Sequence, residues 1–194
     1  MTRAVFSFVV VAVALQRLFE VRLSRRHERT LRARGAVESA AGQLPVMVAL
    51  HGAWILAMLG EVWMRHPPFR PWLAAAALLV FAAGQALRWC AIVALGPRWT
   101  VRVLTMPSAE PVTTGVYRYL RHPNYLGVVL EVASLPLVHG AVWTSVIFSI
   151  ANALMLRARI RSEESALDRD NACERHFGTR ARFVPTPPGP RLPS

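Results

Sequence analysis

Three long apolar blocks, at residues 4–21, 46–64 and 72–95, constrain this 194-residue chain more than any other feature. They run 18, 19 and 24 residues, and a helix needs about 20 mostly apolar residues to cross a hydrocarbon core of roughly 30 Å. A fourth block, 126–156, has 31 residues but is interrupted by Pro136 and by His139-Gly140. Divided there, it makes two helices of about 15 residues, each rising roughly 22 Å. The pattern predicts a helical hairpin, wholly or nearly spanning, with both ends on one side of the membrane. The first block also has the outline of a signal peptide, with Arg3 ahead of it and the small-x-small run Ala12-Val13-Ala14 inside it. Cleavage there would leave an apolar core of only about eight residues, so a retained helix is the preferred reading.

Charge placement orients these helices. The chain is 54% hydrophobic, yet it carries 23 Lys+Arg, all of them arginine, against 11 Asp+Glu, for a formal net charge of +12. Such a charge together with positive mean hydropathy requires the charges to lie in the gaps between apolar blocks, which excludes a disordered basic protein. Eighteen of the arginines, in 22–34, 98–121 and 157–191, fall on one side of a five-helix topology. Arg3, Arg65 and Arg70 fall on the other, and Arg17 and Arg88 lie within helices. By the positive-inside rule the richer side is cytoplasmic. The arginines are split among three segments with no nucleic-acid motif around them, so no nucleic-acid partner is expected. Cys90 lies in an apolar block and Cys173 in a charged tail, so neither a disulfide framework nor a CxxC metal site is expected.

The expected fold is therefore an all-α integral membrane protein of about five transmembrane helices. It closes with a short C-terminal helical hairpin and a cytoplasmic C-terminal helix and tail. One membrane domain spans 1–194: a three-helix part at 1–95, a second part at 96–185, and a Pro-rich extended tail at 186–194.

Ionisable groups in a bilayer core cost roughly 3 kcal/mol or more unless paired or hydrated. Here they are Arg17 and Glu20 in the first block, His51 and Glu61 in the second, Arg88 in the third and Glu131 in the hairpin, with Gln16, Gln85 and Asn152 as polar neighbours. Gln85 and Arg88 are three apart and share a helix face, as do Arg17 and Glu20. The preferred reading is structural, with Arg17 and Arg88 meeting Glu20, Glu61 or Glu131 across helix interfaces. His51, alone on its turn, reads as a hydrogen-bonded packing residue ahead of a metal ligand. A GxGxxG after a strand, a P-loop, an HExxH and a nucleophile-elbow serine are all missing from the sequence, which leaves Rossmann, zincin and hydrolase chemistry without support.

The stretch GVYRYLRHPNYLG at 115–127 concentrates two arginines, a histidine, three tyrosines and two glycines just ahead of the hairpin. Pro123 pushes His122 toward an extended conformation and can itself begin a helix. The free N–H groups there suit an anionic group such as a carboxylate. An interfacial aromatic and basic belt would use the same residues, but their density favours a site. At the far end of the hairpin comes RIRSEESAL at 159–167. Arg159 and Glu163 are four apart on one face, with Glu164 turned about 100° away. The hairpin returns this segment to the His122 region, bringing a cation and a carboxylate to one cavity.

These two motifs, followed by HFG at 176–178 and FVP at 183–185, resemble the isoprenylcysteine carboxyl methyltransferase family of integral membrane methyltransferases. The resemblance covers roughly 98–185. The amino-terminal half, with QRLFE at 16–20, GAVE at 35–38 and MVALHGAW at 47–54, is similar to a bacterial subgroup linked with type III polyketide synthases, which methylates long-chain alkylpyrones or related phenolic lipids. What the resemblance implies is S-adenosylmethionine in a cytoplasm-facing pocket at the top of the hairpin. Tyr117, His122, Pro123, Asn124, Tyr125 and Glu163 match cofactor-binding positions, and Glu110, Pro111 and Val112, in an approach strand, match by spacing. Arg159 matches an arginine at the substrate end, implying a catalytic and substrate-binding role toward a lipophilic acceptor drawn from the membrane. No metal is implied. Arg102 stands where some relatives carry an amide, and the segment after 178 lacks the tyrosines usual before FVP. Three other readings compete: carboxyl methylation of a prenylcysteine-like substrate, an NADPH-dependent sterol-type reductase with a similar RxPNY-and-hairpin outline, and a non-catalytic lipid-binding subunit.

Overall fold

The computed structural model describes residues 1–106, 109 and 112–171, the last five as backbone only. Five α-helices form the architecture among these residues: α1 (Arg3–Ala33), α2 (Gln43–Arg65), α3 (Pro71–Leu95), α4 (Pro123–Ser134) and α5 (Val142–Asn171). Three of them, α1, α2 and α3, are long and apolar enough to cross a membrane. The chain is an integral membrane protein.

Each block begins and ends where local chemistry dictates. Thr2 caps α1 by accepting the Val5 N–H at 3.3 Å, and no glycine or proline interrupts the chain until Gly35, which takes φ +88. The basic segment after the first apolar block, expected only as a gap between blocks, is therefore helical, and α1, of 31 residues, runs about 46 Å. Its last turns extend past the hydrocarbon. Pro67-Pro68 cannot continue α2, and Pro71 occupies the first turn of α3, where its missing N–H has no helical partner to lose.

The hairpin forms as expected, but unequally. α4 has 12 residues and passes into a short 3-10 turn over Leu135–His139, after which Gly140 reverses the chain at φ +76. α5 has 30 residues, since no breaker separates its apolar half from the charged half. Glu61 of α2 secures its start, accepting the Trp143 N–H at 3.1 Å and the Thr144 N–H and hydroxyl, both at 2.7 Å. Glu61 is thus a helix cap rather than a partner for Arg17 or Arg88.

The structure adds an element that the all-α expectation did not contain. β1 (Val37–Ser39) and β2 (Val103–Thr105) pair antiparallel, Val37 opposite Thr105 and Ser39 opposite Val103. Glu38 of β1 accepts hydrogen bonds from Arg32 and Arg102. Burial is the largest single influence on its carboxyl and raises it, but the hydrogen bonds and charges of Arg102 and Arg32 together prevail and hold it below its ordinary range. GAVE thus serves as a clasp between α1 and the segment after α3.

The apolar core combines Phe6, Val10 and Val13 of α1 with Trp54, Met58 and Val62 of α2 and Val128, Val132, Leu135 and Val138 of the hairpin. The outward faces are apolar too. Val5, Phe8, Val11, Leu15 and Phe19 of α1 are all exposed and recur at helical spacing, a stripe that only lipid would cover without penalty.

A charged cluster joins α1, α3 and α4. The Arg88 guanidinium donates to Glu131 at 3.0 Å and also to Glu20. Arg17 donates to Glu20 at 3.1 Å and also to Glu131. Gln16 donates to Glu20 at 2.9 Å and to Gln85 at 2.8 Å. Two cations and two carboxylates close a neutral set, so the structural reading of these groups holds. Arg88 reaches Glu131 because α3 and α4 touch through glycines. A Cβ on Gly127 would lie 2.3 Å from Arg88 Cγ and 2.8 Å from the Gly84 carbonyl oxygen.

Gly127→Ala should therefore destabilise the fold by about 1–3 kcal/mol, despite alanine's better helix propensity. Gly60→Ala, whose Cβ meets nothing within 4 Å, should be neutral or mildly stabilising. Thermal unfolding in detergent distinguishes the two.

Candidate functional site

The site begins with how the chain enters α4. Gly115 takes φ +58 and opens a single 3-10 turn over Gly115–Arg118. His122 is the N-cap residue of α4 and Pro123 its first residue; His122 sits at φ −127 and ψ 59, out of the helical region but short of the extended conformation expected before proline. One turn later, the Tyr125 ring stacks on the His122 ring with centroids 5.5 Å apart. The two side chains are locked as a unit against the end of α5.

Both glutamates of α5 engage this unit, by different faces. Glu163 accepts the Tyr125 hydroxyl at 2.5 Å. Glu164, turned away from it, lies 3.1 Å from His122 Nε2 and accepts from Arg121 at 3.2 Å. Arg159 Nε donates to the Tyr125 oxygen at 2.9 Å, and a terminal nitrogen donates to the Val101 carbonyl. A chain of contacts thus runs from Arg159 through Tyr125 to Glu163. The expected convergence of the two motifs is present, and Glu164, which the helical spacing set apart, is the partner of His122.

Val101 reaches Arg159 because α1 straps its segment down. His27 Nδ1 lies 2.7 Å from the Trp99 carbonyl, and Ser24 accepts the Val101 N–H at 2.8 Å. Gln43, at the start of α2, donates to Ser162 at 3.0 Å. None of these residues stood out in the sequence: a serine and a histidine in a basic helix carry no motif, and their partners are backbone atoms.

The result is a cavity of about 370 Å³ that every helix helps to line. Its polar end holds Tyr117, His122, Asn124, Tyr125, Arg159 and Glu163. Its other walls are largely apolar: Ala14, Leu18 and Val21 of α1, Val48 and Ile55 of α2, Val128 of α4 and Leu156 of α5. Arg17, Glu20 and Arg88 border it between the two, with His51 of α2. Burial, assisted by the charge of Glu163, pushes the Tyr117 phenol far above its ordinary range, so it stays neutral.

The remaining expected positions lie elsewhere. Pro123 is buried in the first turn of α4 and shapes the backbone without lining the cavity. Val112 lies in irregular chain beyond β2 and also off the cavity, so the expected approach strand is not found there; β2 pairs at 103–105 instead. Glu110 and Pro111 lie outside the described residues. Among the described residues, no three His, Cys, Asp or Glu side chains assemble as a metal site.

Two features distinguish the polar end from ordinary packing. Arg159 is 4% exposed and, unlike Arg17 and Arg88, has no carboxylate partner among the described residues. Asn124 Oδ1 is buried without a hydrogen-bond partner among them. A buried cation lacking an anion and a buried acceptor lacking a donor are both costly, and both costs fall if a ligand carries the complement.

Residues 75–169 match the Isoprenylcysteine carboxyl methyltransferase (ICMT) family. The chain is also 34% identical over 163 residues to Uncharacterized protein YpbQ of Bacillus subtilis, covering 84% of this chain and 96% of that protein. The chain belongs to the isoprenylcysteine carboxyl methyltransferase family. An uncharacterized protein of Haemophilus influenzae is 29% identical, over 78% of this chain and 88% of its own length. A shorter likeness, 33% over 104 residues, links 51% of the chain to 45% of the nickel-cobalt-cadmium resistance protein NccN of Alcaligenes xylosoxydans. The fold resembles a solved structure of the eukaryotic intramembrane Ras methyltransferase ICMT, with TM-score 0.56 and 23% identity over 73% of this chain and 52% of that one. The chain thus spans about half the length of that enzyme. Members of this family are membrane methyltransferases that use S-adenosylmethionine, which favours a methyltransferase over a reductase here.

In this family member the Tyr125 hydroxyl serves Arg159 and Glu163 together. Tyr125→Phe leaves the buried Arg159 Nε without an acceptor and is expected to cost about 1–3 kcal/mol of stability. Tyr119→Phe, on a half-exposed ring, should change it by less than about 0.5 kcal/mol; thermal melts of both variants in one detergent make the comparison.

Proposed function

We propose that this family member is an S-adenosylmethionine-dependent O-methyltransferase acting on a lipophilic acceptor drawn from the membrane. The preferred acceptor is the hydroxyl of a long-chain alkylpyrone or phenolic lipid, of the kind a type III polyketide synthase pathway supplies. The chain works as one membrane domain, multi-pass through about five helices, with its site and C-terminus facing the cytoplasm, as the distribution of eighteen arginines favours. The observation that carries the reading is Arg159: buried, without a carboxylate partner among the described residues, and lining the cavity near its apolar walls. A guanidinium held in this way is a receptor for an oxyanion.

The polar end fits the methyl donor. Glu163 offers a carboxylate to the donor's ammonium or ribose hydroxyls, Asn124 Oδ1 offers an acceptor to its amino groups, and Tyr117, His122 and Tyr125 offer ring surfaces and hydrogen bonds. When bound, S-adenosylmethionine supplies a methyl group on a sulfonium that leaves as a neutral thioether. The protein has to align two reactants. Holding nucleophile and methyl carbon within about 3 to 3.5 Å and in line is worth roughly 7–11 kcal/mol. Arg159 orients the acceptor oxygen and stabilises its anionic form, while His122, tied to Glu164, positions the donor. Attack by an anion on a cation destroys charge, so a water-poor cavity favours the step.

The amino-terminal half supports the choice of acceptor. The stretches that resemble the polyketide-linked subgroup contribute Arg17, Leu18 and Glu20, and Met47, Val48, His51 and Gly52, to the cavity wall. A carboxylate of a prenylcysteine-like substrate is the second reading, favoured by family membership.

Purified protein incubated with labelled S-adenosylmethionine and alkylpyrone, alkylresorcinol or farnesylcysteine tests both. Label is expected in the alkylpyrone or alkylresorcinol ahead of farnesylcysteine; no labelled lipid from any of the three would refute the activity. Arg159→Ala should lower turnover at least about 100-fold with both reactants saturating, in the range for loss of a group stabilising developing charge, and Arg159→Lys should restore part of it. Full turnover by Arg159→Ala would remove its assigned role.

A further inference from the structure

His51 has a geometry that packing does not explain. It lies on α2 and lines the cavity, and its Nδ1 is 2.9 Å from the Met47 carbonyl oxygen. A carbonyl can only accept, so Nδ1 must carry the proton and donate it. The neutral ring then has its lone pair on Nε2, and Nε2 has no partner among the described residues. The Trp54 ring meets the imidazole edge-on, with centroids 6.4 Å apart, fixing it from one side. The histidine is thus held by a backbone contact one turn away, in the tautomer that makes its other nitrogen a base. The charged groups around it come from every other helix: Arg17 and Glu20 of α1, Arg88 of α3, Glu131 of α4, and Arg159 and Glu163 of α5.

We infer that His51 is the general base for acceptors that arrive protonated, which extends the substrate range of this site to weakly acidic phenolic hydroxyls. The inference rests on the O-methyltransferase reading above. An alkylpyrone enol or a carboxylate is already anionic near neutral pH and needs only Arg159. A simple phenol, with an ionisation near that of tyrosine at about 10, reacts slowly unless its proton is removed as the bond forms. The balance is simple. The phenolic proton passes to His51 Nε2, an oxygen electron pair makes the new bond to the methyl carbon, and the carbon–sulfur bond breaks with its pair left on sulfur. The imidazolium then returns its proton to water as the methyl ether leaves. Arg159, which lines the same cavity, stabilises the negative charge that develops on oxygen.

His51→Asn separates this role from a packing role, because the asparagine amide can still donate to the Met47 carbonyl but has no basic nitrogen. The measurement is the ratio of single-turnover rates for alkylresorcinol and alkylpyrone, with labelled donor saturating and donor binding confirming that the variant is folded. General-base catalysis is typically worth about 10²- to 10⁴-fold, so the substitution should depress the alkylresorcinol-to-alkylpyrone ratio at least about 100-fold. A second readout needs no methyl donor. A long-chain nitrophenol bound to the donor-free protein should show its visible phenolate band below the pH at which it ionises in water, with at least tenfold less phenolate in His51→Asn. If that variant does not fold, His51→Gln takes its place, and a wild-type protein that leaves the nitrophenol band at its solution position overturns the inference without any variant. An unchanged ratio also overturns the role of His51 and leaves the methyltransferase reading intact. Methylation of alkylpyrone with none of alkylresorcinol does the same. No labelled lipid from either removes both.

Discussion

The structure depends on one neutral cluster of buried charges. Arg17 and Arg88 share Glu20 and Glu131, and each of these four groups would be expensive alone among apolar helices. Removing any one leaves an uncompensated charge, the case in which breaking a buried pair costs about 3–5 kcal/mol. The cluster therefore fixes the relative rotation of α1, α3 and α4. Its price in space is the bare contact between Gly84 and Gly127, because Arg88 lies where a side chain on α4 would otherwise stand. A mostly lipid-facing set of helices has little hydrophobic gain from mutual burial. Close packing and charge pairing supply the specificity instead.

The same cluster explains what the site can do. Arg17, Glu20 and Arg88 border the cavity yet are neutralised among themselves, so they present polarity without net charge. Arg159 sits in the same cavity with a tyrosine oxygen and a backbone carbonyl as its contacts. Arg17 and Arg88 are paired with carboxylates, and Arg121 with Glu164, whereas Arg159 has no carboxylate partner among the described residues. That difference depends on partners rather than burial, because Arg88 and Arg159 are equally hidden.

Much of this was legible in the sequence, for reasons that particular residues make plain. The three apolar blocks became α1, α2 and α3 because length and hydropathy alone decide such elements. The hairpin turn at Gly140 followed from a proline and a glycine in an apolar run. The meeting of Tyr125 with Arg159 and Glu163 followed from helical spacing plus the reversal of the chain. What escaped had no periodic or motif signal. The helical path of 22–33 was hidden because a run of arginines suits a loop as well as a helix end. The β1–β2 clasp pairs two three-residue segments 66 positions apart, too short for any pattern. The choice of Glu131 over Glu61 as a partner for Arg88 turned on which carboxylate stood opposite Arg88 across the helices, and Glu61 was taken up by the exposed N–H groups opening α5.

Under the proposed function, family membership and the lining of the cavity divide the chain between two tasks. The family match covers 75–169, which is most of α3, all of α4 and the described side chains of α5 with the segments between them, and this stretch holds Tyr117, His122, Asn124, Tyr125, Arg159 and Glu163. The apolar walls come in good part from α1 and α2, outside that match. A methyl donor common to a family needs a common pocket, whereas acceptors differ in their tails and in the acidity of the oxygen to be methylated. Helices free of the donor-facing task can change their lining without disturbing the transfer geometry. His51 belongs to that freer half, so the residue that would admit a less acidic oxygen lies where substrate range can vary independently of donor binding.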